Sequence, residues 1–197
     1  MKEQDNGRTE ELSSATWQFI VSHREDDVRT LALQARKYPQ VDMAEAVTQI
    51  AGWQIAVRKI PSWAATEGIL YSRHLSMEQC SSEITALYKA SLVGGESFTD
   101  LTAGLGVDCS FLARRFRRAD YVERQETLCR LAAHNFPLLG LDHIRVHHAD
   151  ALEYLREMEP VDCLFLDPAR RDSHGGKTVA ITECEPDVCA LESLLVE

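Results

Sequence analysis

Asp100-Leu-Thr-Ala-Gly-Leu-Gly-Val-Asp108 is the stretch whose reading decides the fold. It closes a short apolar run and opens directly onto a segment with helical spacing. Glycine is needed where backbone must come close to a ligand, and a helix beginning behind such a turn offers free N–H groups. Gly104 and Gly106 are the candidates for that close approach. Gly-x-Gly by itself is a weak sign, equally compatible with a plain strand-to-helix turn. The third glycine of the dinucleotide fingerprint is missing, with Cys109 in its place, which disfavours a nicotinamide or flavin site.

Downstream of the turn, short apolar runs alternate with amphipathic segments. Strands are expected at about 97–101, 119–123, 143–148 and 161–166, and helices at about 107–117, 125–138 and 150–158. Such alternation predicts parallel β-α-β units around a buried sheet. The second strand ends in Glu123, placed to accept both ribose hydroxyls of a bound nucleoside. Its plain alternative is a solvated strand-end acid. The third strand delivers Asp150 to the start of a helix, where it reads as an N-cap and could also accept from an adenine amino group. The fourth, Val161-Asp-Cys-Leu-Phe-Leu166, reads as a strand buried on both faces and runs into Asp167-Pro168-Ala169-Arg170-Arg171. Asp167 should then emerge where open α/β sheets bind ligands, stiffened by the proline beside it. A rigid carboxylate there can orient or deprotonate a nitrogen.

Upstream, residues 9–63 show mixed three- and four-residue apolar steps that predict three helices. Asp42 is the expected N-cap of the third, and Pro61 should lie just beyond its end. Trp17, Trp53 and Trp63 read as helical core. A further helix is expected from about Met77 to Leu92, with Ser76 as a candidate N-cap, before Gly94-Gly95 breaks the chain. The expected organisation is a helical extension over 1–75 and an α/β Rossmann-like domain over 76–197.

The 197 residues, 45% hydrophobic, suffice for one α/β domain with an extension. No run approaches the ~18 apolar residues of a membrane helix, and the polar start is neither a signal nor a transit peptide, so no membrane association and a cytoplasmic location are expected. The six cysteines form no C-x-x-C pair, which points to reduced thiols and no zinc site. His147 and His148, adjacent on a strand, read as structural, with no third ligand at metal spacing. A net charge of −10 sits awkwardly with phosphate binding, although Arg114, Arg115, Arg117 and Arg118 form one basic cluster and Arg170 with Arg171 another.

The series of glycine turn, acid after strand two, Asp after strand three and Asp-Pro after strand four resembles the motif order of class I S-adenosylmethionine-dependent methyltransferases, over about residues 97–171. The stretch Leu75–Ala90 followed by the glycine turn looks like a bacterial methyltransferase family carrying a C-terminal THUMP-like domain. The resemblance implies S-adenosylmethionine as cofactor, with Asp100, Thr102, Gly104 and Gly106 at its methionine part, Glu123 at the ribose and Asp150 at the adenine. Gln79, Ser81, Ser82 and Lys89 could line the methionine end. The plain alternative for that segment is an amphipathic helix facing solvent. Asp167 and Pro168 would face the substrate, and Arg170 and Arg171 would contact it.

The strand-four motif departs from the Asp/Asn-Pro-Pro-aromatic box of amino methyltransferases, since Ala169 replaces the second proline and Arg170 the aromatic. Without a ring to stack on a flipped base, exocyclic-amine chemistry loses support. Arg170 is closer to the Asp-Pro-Pro-Arg box of some RNA 5-methyluridine enzymes, but no cysteine is placed as their nucleophile. The THUMP-like resemblance implies an RNA base as acceptor, with DNA or protein as variants. Class I domains have about seven strands, and only Lys177–Thr182 and a helix from Asp187 to Leu195 are expected after the fourth, so the sheet is expected to stop early. Residues 1–197 alone are then expected to bind cofactor weakly and methylate poorly. The competing reading is a non-catalytic cofactor-binding or interaction module.

Overall fold

The computed structural model describes residues 12–72 and 74–168. The expected strand at 177–182 and helix at 187–195, and the pair Arg170 and Arg171, lie outside the described residues. Four parallel strands, β1 (Ser97–Asp100), β2 (Arg118–Glu123), β3 (Ile144–His148) and β4 (Cys163–Phe165), form one sheet in the order β3-β2-β1-β4. The chain steps outward from β1 through β2 to β3, then crosses to the opposite side of β1 for β4. That reversal makes the carboxyl ends of β1 and β4 the topological switch point, where open parallel sheets leave a crevice. Asp100 and Asp167 both arrive there.

β1 is buried throughout, and β2 is buried except at Arg118. Phe98 stacks on Phe116 at 5.2 Å between ring centres, and Tyr121 meets Phe136 edge-on at 5.5 Å. β4, expected to be buried on both faces, is only half-buried, because it lies at an edge of the sheet among the described residues. Its start is held by Asp162, whose carboxylate accepts from the Glu96 and Ser97 amides at 2.8 and 2.9 Å.

Helices flank the sheet and build the N-terminal part. α1 (Ser14–Ser22), α2 (Val28–Leu33) and α3 (Met43–Lys59) are capped by Ser13, Asp27 and Asp42. They enclose a small core of Phe19, Ile20, Leu31, Met43, Ala46 and Ile50. The larger core runs without a break from Ile55, Ile60, Trp63 and Tyr71 into Phe98, Tyr121 and Phe136. Pro61 lies just beyond the end of α3, as expected, and opens α4 (Pro61–Ala65) as its first residue, a position where its missing N–H costs nothing.

Three expectations are corrected. The helix expected over 77–92 is two helices, α5 (His74–Gln79) and α6 (Glu83–Ser91). Ser82, with an extended backbone, caps α6 by accepting from Thr85 N at 3.3 Å, so the cap is six residues later than Ser76. Serine favours an N-cap over a helix interior because its hydroxyl competes for backbone bonds. The helix expected over 107–117 is α7 (Val107–Leu112) followed by a 3-10 turn at Ala113–Arg115, because Phe116 must turn extended to bury against Phe98. Of the three tryptophans Trp63 is fully buried, 1% exposed; Trp17 and Trp53 pack against the cores but are half-buried and border a cavity.

Candidate functional site

The turn between β1 and α7 needs two left-handed residues, and both are glycines: Gly104 at φ +53° and Gly106 at φ +85°. At Gly104 space is open, the nearest contact of an added Cβ being the Thr102 carbonyl at 3.9 Å, so backbone conformation alone demands glycine. At Gly106 a Cβ would also press on Phe136 at 3.0 Å and Tyr121 at 3.2 Å. The turn is tied down from β2. Glu123 accepts from Gly104 N at 3.0 Å and from Gln125 N at 2.8 Å, and the Tyr121 hydroxyl donates to the Gly104 carbonyl. Glu123 therefore stands beside the glycine turn, 8% exposed, with one amide on each oxygen and lone pairs left on both.

Asp100 lies beneath the turn, 1% exposed, accepting from Thr102 N at 3.1 Å. Burial pushes its carboxyl up to about 8, opposed by the Thr102 amide and reinforced by the carboxylates of Asp108 and Asp167. The Thr102 hydroxyl accepts from Asp167 N at 2.7 Å, which fixes the start of the Asp-Pro loop against the glycine turn. The Asp167 side chain is 62% exposed. Lys89 of α6 is the ammonium facing these acids among the described residues. Its Nζ donates to Asp108 at 2.9 Å and Ser81 Oγ at 3.0 Å, and stands 3.9 Å from Asp167. Ser81 also donates to Asp108 at 2.8 Å. The break between α5 and α6 is what lets Ser81 and Lys89 converge on one carboxylate.

The structure thus brings Asp100, Thr102, Gly104, Gly106, Glu123 and Asp167 together, with Pro168 following. Asp150 caps α9 (Ala151–Glu157), accepting from Leu152 N at 2.9 Å and Glu153 N at 3.3 Å. Ser82 is engaged as the α6 cap, and Gln79 is exposed at the end of α5. Asp108 was inside the decisive stretch but carried no distinguishing signal; its role depends on a partner 19 residues away. The cluster Arg114–Arg118 sits at the amino end of β2, opposite the site, with Arg114 donating to the Leu139 carbonyl and Arg117 paired to Glu96. His147 pairs with Asp120 at 2.6 Å and His148 with the Arg124 carbonyl at 2.9 Å.

Burial pushes the Cys109 thiol well up and that of Cys129 up to about 11, so neither supplies a thiolate nucleophile at neutral pH. Among the described residues there is no group of three side chains able to hold a metal, and no helix long and apolar enough to cross a membrane.

A turn ringed by carboxylates repels a pyrophosphate and suits a ligand with positive charge. A solved structure shares this framework. Over 92% of its length the chain is similar to a candidate methyltransferase from Porphyromonas gingivalis W83, at 30% identity and a TM-score of 0.74. The fold is a Rossmann-like methyltransferase fold. The chain spans 45% of the length of that structure. It also overlaps an S-adenosylmethionine-dependent O-methyltransferase from Thermotoga maritima (25% identity, 45% of this chain, 36% of that one, TM-score 0.41). A further overlap is with a candidate methyltransferase from Streptococcus mutans in complex with SAH (16% identity, 58% and 64%, TM-score 0.43). These last two overlaps are too partial to weigh. No protein-family model and no curated protein matches the sequence.

Proposed function

We propose that this chain is the cofactor-binding half of a class I S-adenosylmethionine-dependent methyltransferase whose acceptor is a base in RNA. The observation that carries the reading is the charge of the crevice. Glu123 and Asp167 meet at the switch point above the buried carboxyl of Asp100, with Lys89 as counter-charge, a set complementary to a sulfonium and an ammonium group. The donor set also fits the nucleoside end, because the free lone pairs of Glu123 can accept ribose hydroxyls.

In this reading Glu123 holds the ribose and Asp150 accepts from the adenine amino group. Asp100, Thr102, Gly104 and Gly106, with Gln79 and Ser82, border the methionine part. S-adenosylmethionine supplies an electrophilic methyl group. Asp167, fixed through its amide to Thr102 and restricted by Pro168, orients the acceptor atom, so that positioning does most of the work. Arg170 and Arg171 are assigned to the RNA backbone. The RNA acceptor, the THUMP-like relationship, the cytoplasmic location and the division into a helical extension (1–75) and a methyltransferase domain (76–197) rest on the motif resemblance.

Calorimetric titration of S-adenosylmethionine into the chain and into Glu123→Ala tests the reading. Saturable binding that the variant loses supports it. Equal binding by both, or none by the wild-type chain at any soluble ligand concentration, overturns it.

A further inference from the structure

Away from the crevice, a cavity of about 350 Å³ opens in the N-terminal part, bounded by α1, α3 and the segment 64–71. That volume is in the range of small-molecule sites, ~300–1,000 Å³. Trp17 and Arg24 reach it from α1 and the turn after it, Trp53 from α3, and Thr66 and Glu67 from the connecting segment.

Its walls are fixed by a set of hydrogen bonds. The Gln49 amide clamps both backbone groups of Tyr71, at 2.8 and 2.9 Å. Trp53 Nε1 donates to the Ala64 carbonyl at 3.2 Å, which spends the indole's only polar atom on the wall. Gln54 holds the Arg24 and Asp26 carbonyls at 2.8 and 2.9 Å. The far side is bolted to α8 (Glu126–Leu138), where Asn135 pairs with both backbone groups of Leu70 and His134 with the Gly68 carbonyl.

Arg24 is the exception to this accounting. Its guanidinium lies over the Trp53 ring, 5.4 Å from the centroid, and is half-buried, yet it makes no hydrogen bond or ion pair among the described residues. Five N–H donors are thus held at the rim of an aromatic cavity with no protein acceptor in that set. Two half-buried indoles also sit in a molecule that buries Trp63 almost completely, so the exposure is particular to these positions.

We propose that this cavity is a binding site for one unstacked nucleobase of a single-stranded RNA. The base would stack on the Trp17 indole, and Arg24, seated on Trp53, would donate to its ring nitrogen or carbonyl oxygen. A flat π-faced ring with hydrogen-bond acceptors on its edge is the chemistry that aromatic walls and a stacked guanidinium recognise. Stacking tolerates an acidic protein better than backbone contacts do, which suits a chain of net charge −10. The inference deepens the RNA reading and is independent of methyl transfer, because it is measured without methyl donor.

The test titrates a single-stranded heptaadenylate RNA into the chain, read by tryptophan fluorescence and calorimetry. Arg24→Ala, Trp17→Ala and an abasic oligomer of the same length serve as comparisons, with thermal melts showing that both variants fold. Expected are saturable quenching by the RNA, no binding of the abasic oligomer, and weakening of roughly 5- to 100-fold in Trp17→Ala and roughly 3- to 30-fold in Arg24→Ala. No quenching of the wild-type chain, equal affinity in both variants, equal binding of the abasic oligomer, or preference for a tryptophan-containing peptide over the RNA would each overturn the proposal. A chain that binds S-adenosylmethionine but not the RNA defeats this inference alone, leaving the cofactor reading intact.

Discussion

Two buried acids on β2, three residues apart, lead opposite lives. Asp120 faces α9 and is met by charge: Arg145 grips it with two bonds of 2.9 Å, and His147 adds a third at 2.6 Å. Glu123, at the carboxyl end of the same strand, is met by two backbone amides. Asp100, its neighbour across the turn, has one. The strand's alternation sends the two acids to opposite faces, and of the two only Asp120 has an arginine in direct contact. A carboxylate that is already neutralised has nothing left for a ligand. One held by amides, with lone pairs to spare, does.

Each prediction pushes on that contrast. The largest effect is expected at Gly106→Ala, which would force a side chain into a left-handed conformation, at ~1–2 kcal/mol, and into Phe136 and Tyr121, at ~1–3 kcal/mol. A thermal melt should fall by about 5–15 °C, with cofactor binding lost. A melt unchanged within error would show that the turn is looser than its geometry implies.

The paired variants Glu123→Gln and Asp120→Asn come next. Glu123→Gln orphans an amide, costing ~1–2 kcal/mol, and should cut S-adenosylmethionine affinity by about 100-fold or more. Asp120→Asn should cost a comparable ~1–2 kcal/mol and leave affinity within about twofold. Calorimetry on both distinguishes the two faces, and equal losses of affinity would erase the distinction.

Asp100→Asn should raise stability at neutral and higher pH. Because the folded carboxyl is pushed up to about 8 from 3.8, the folded state holds a proton that the unfolded chain releases between those values. Stability contributed by Asp100 is complete below about 4 and is lost as pH rises toward 8. The variant should therefore gain most over wild type near pH 8, by about 1–3 kcal/mol, and little at pH 4. Melts across that range check the sign, and a gain that shrinks with rising pH would contradict it.

Arg145→Ala should have the smallest effect. The arginine is 65% exposed, and His147 still covers Asp120, so about 1 kcal/mol or less is at stake. Chemical denaturation at low and high salt should show the difference fading with ionic strength.

Much of the site was legible because it is built from local chemistry. The glycines of the turn, the acids that end β2 and precede α9, and the Asp-Pro after β4 each follow from what their immediate neighbours require. What stayed hidden depended on distant partners. The break at Ser81 and Ser82 makes sense only once Asp108 of α7 is seen to collect Ser81 and Lys89. Trp17 and Trp53 have the spacing of core residues, and helical spacing cannot tell a residue against the core from one lining a cavity beside it. The basic cluster Arg114–Arg118, noted in the sequence only as a concentration of positive charge, lies at the amino end of β2, away from the site.

The sequence by itself determined a parallel α/β sheet with its acids and glycines in methyltransferase order, because strand, turn and cap preferences act over a few residues. Only the tertiary structure decided which of those acids meet a cation and which meet backbone amides, that β4 lies beside β1, and that two tryptophans and an arginine share a cavity. These are matters of which surfaces meet in space, and contacts between residues far apart in the chain leave no periodicity or spacing to read.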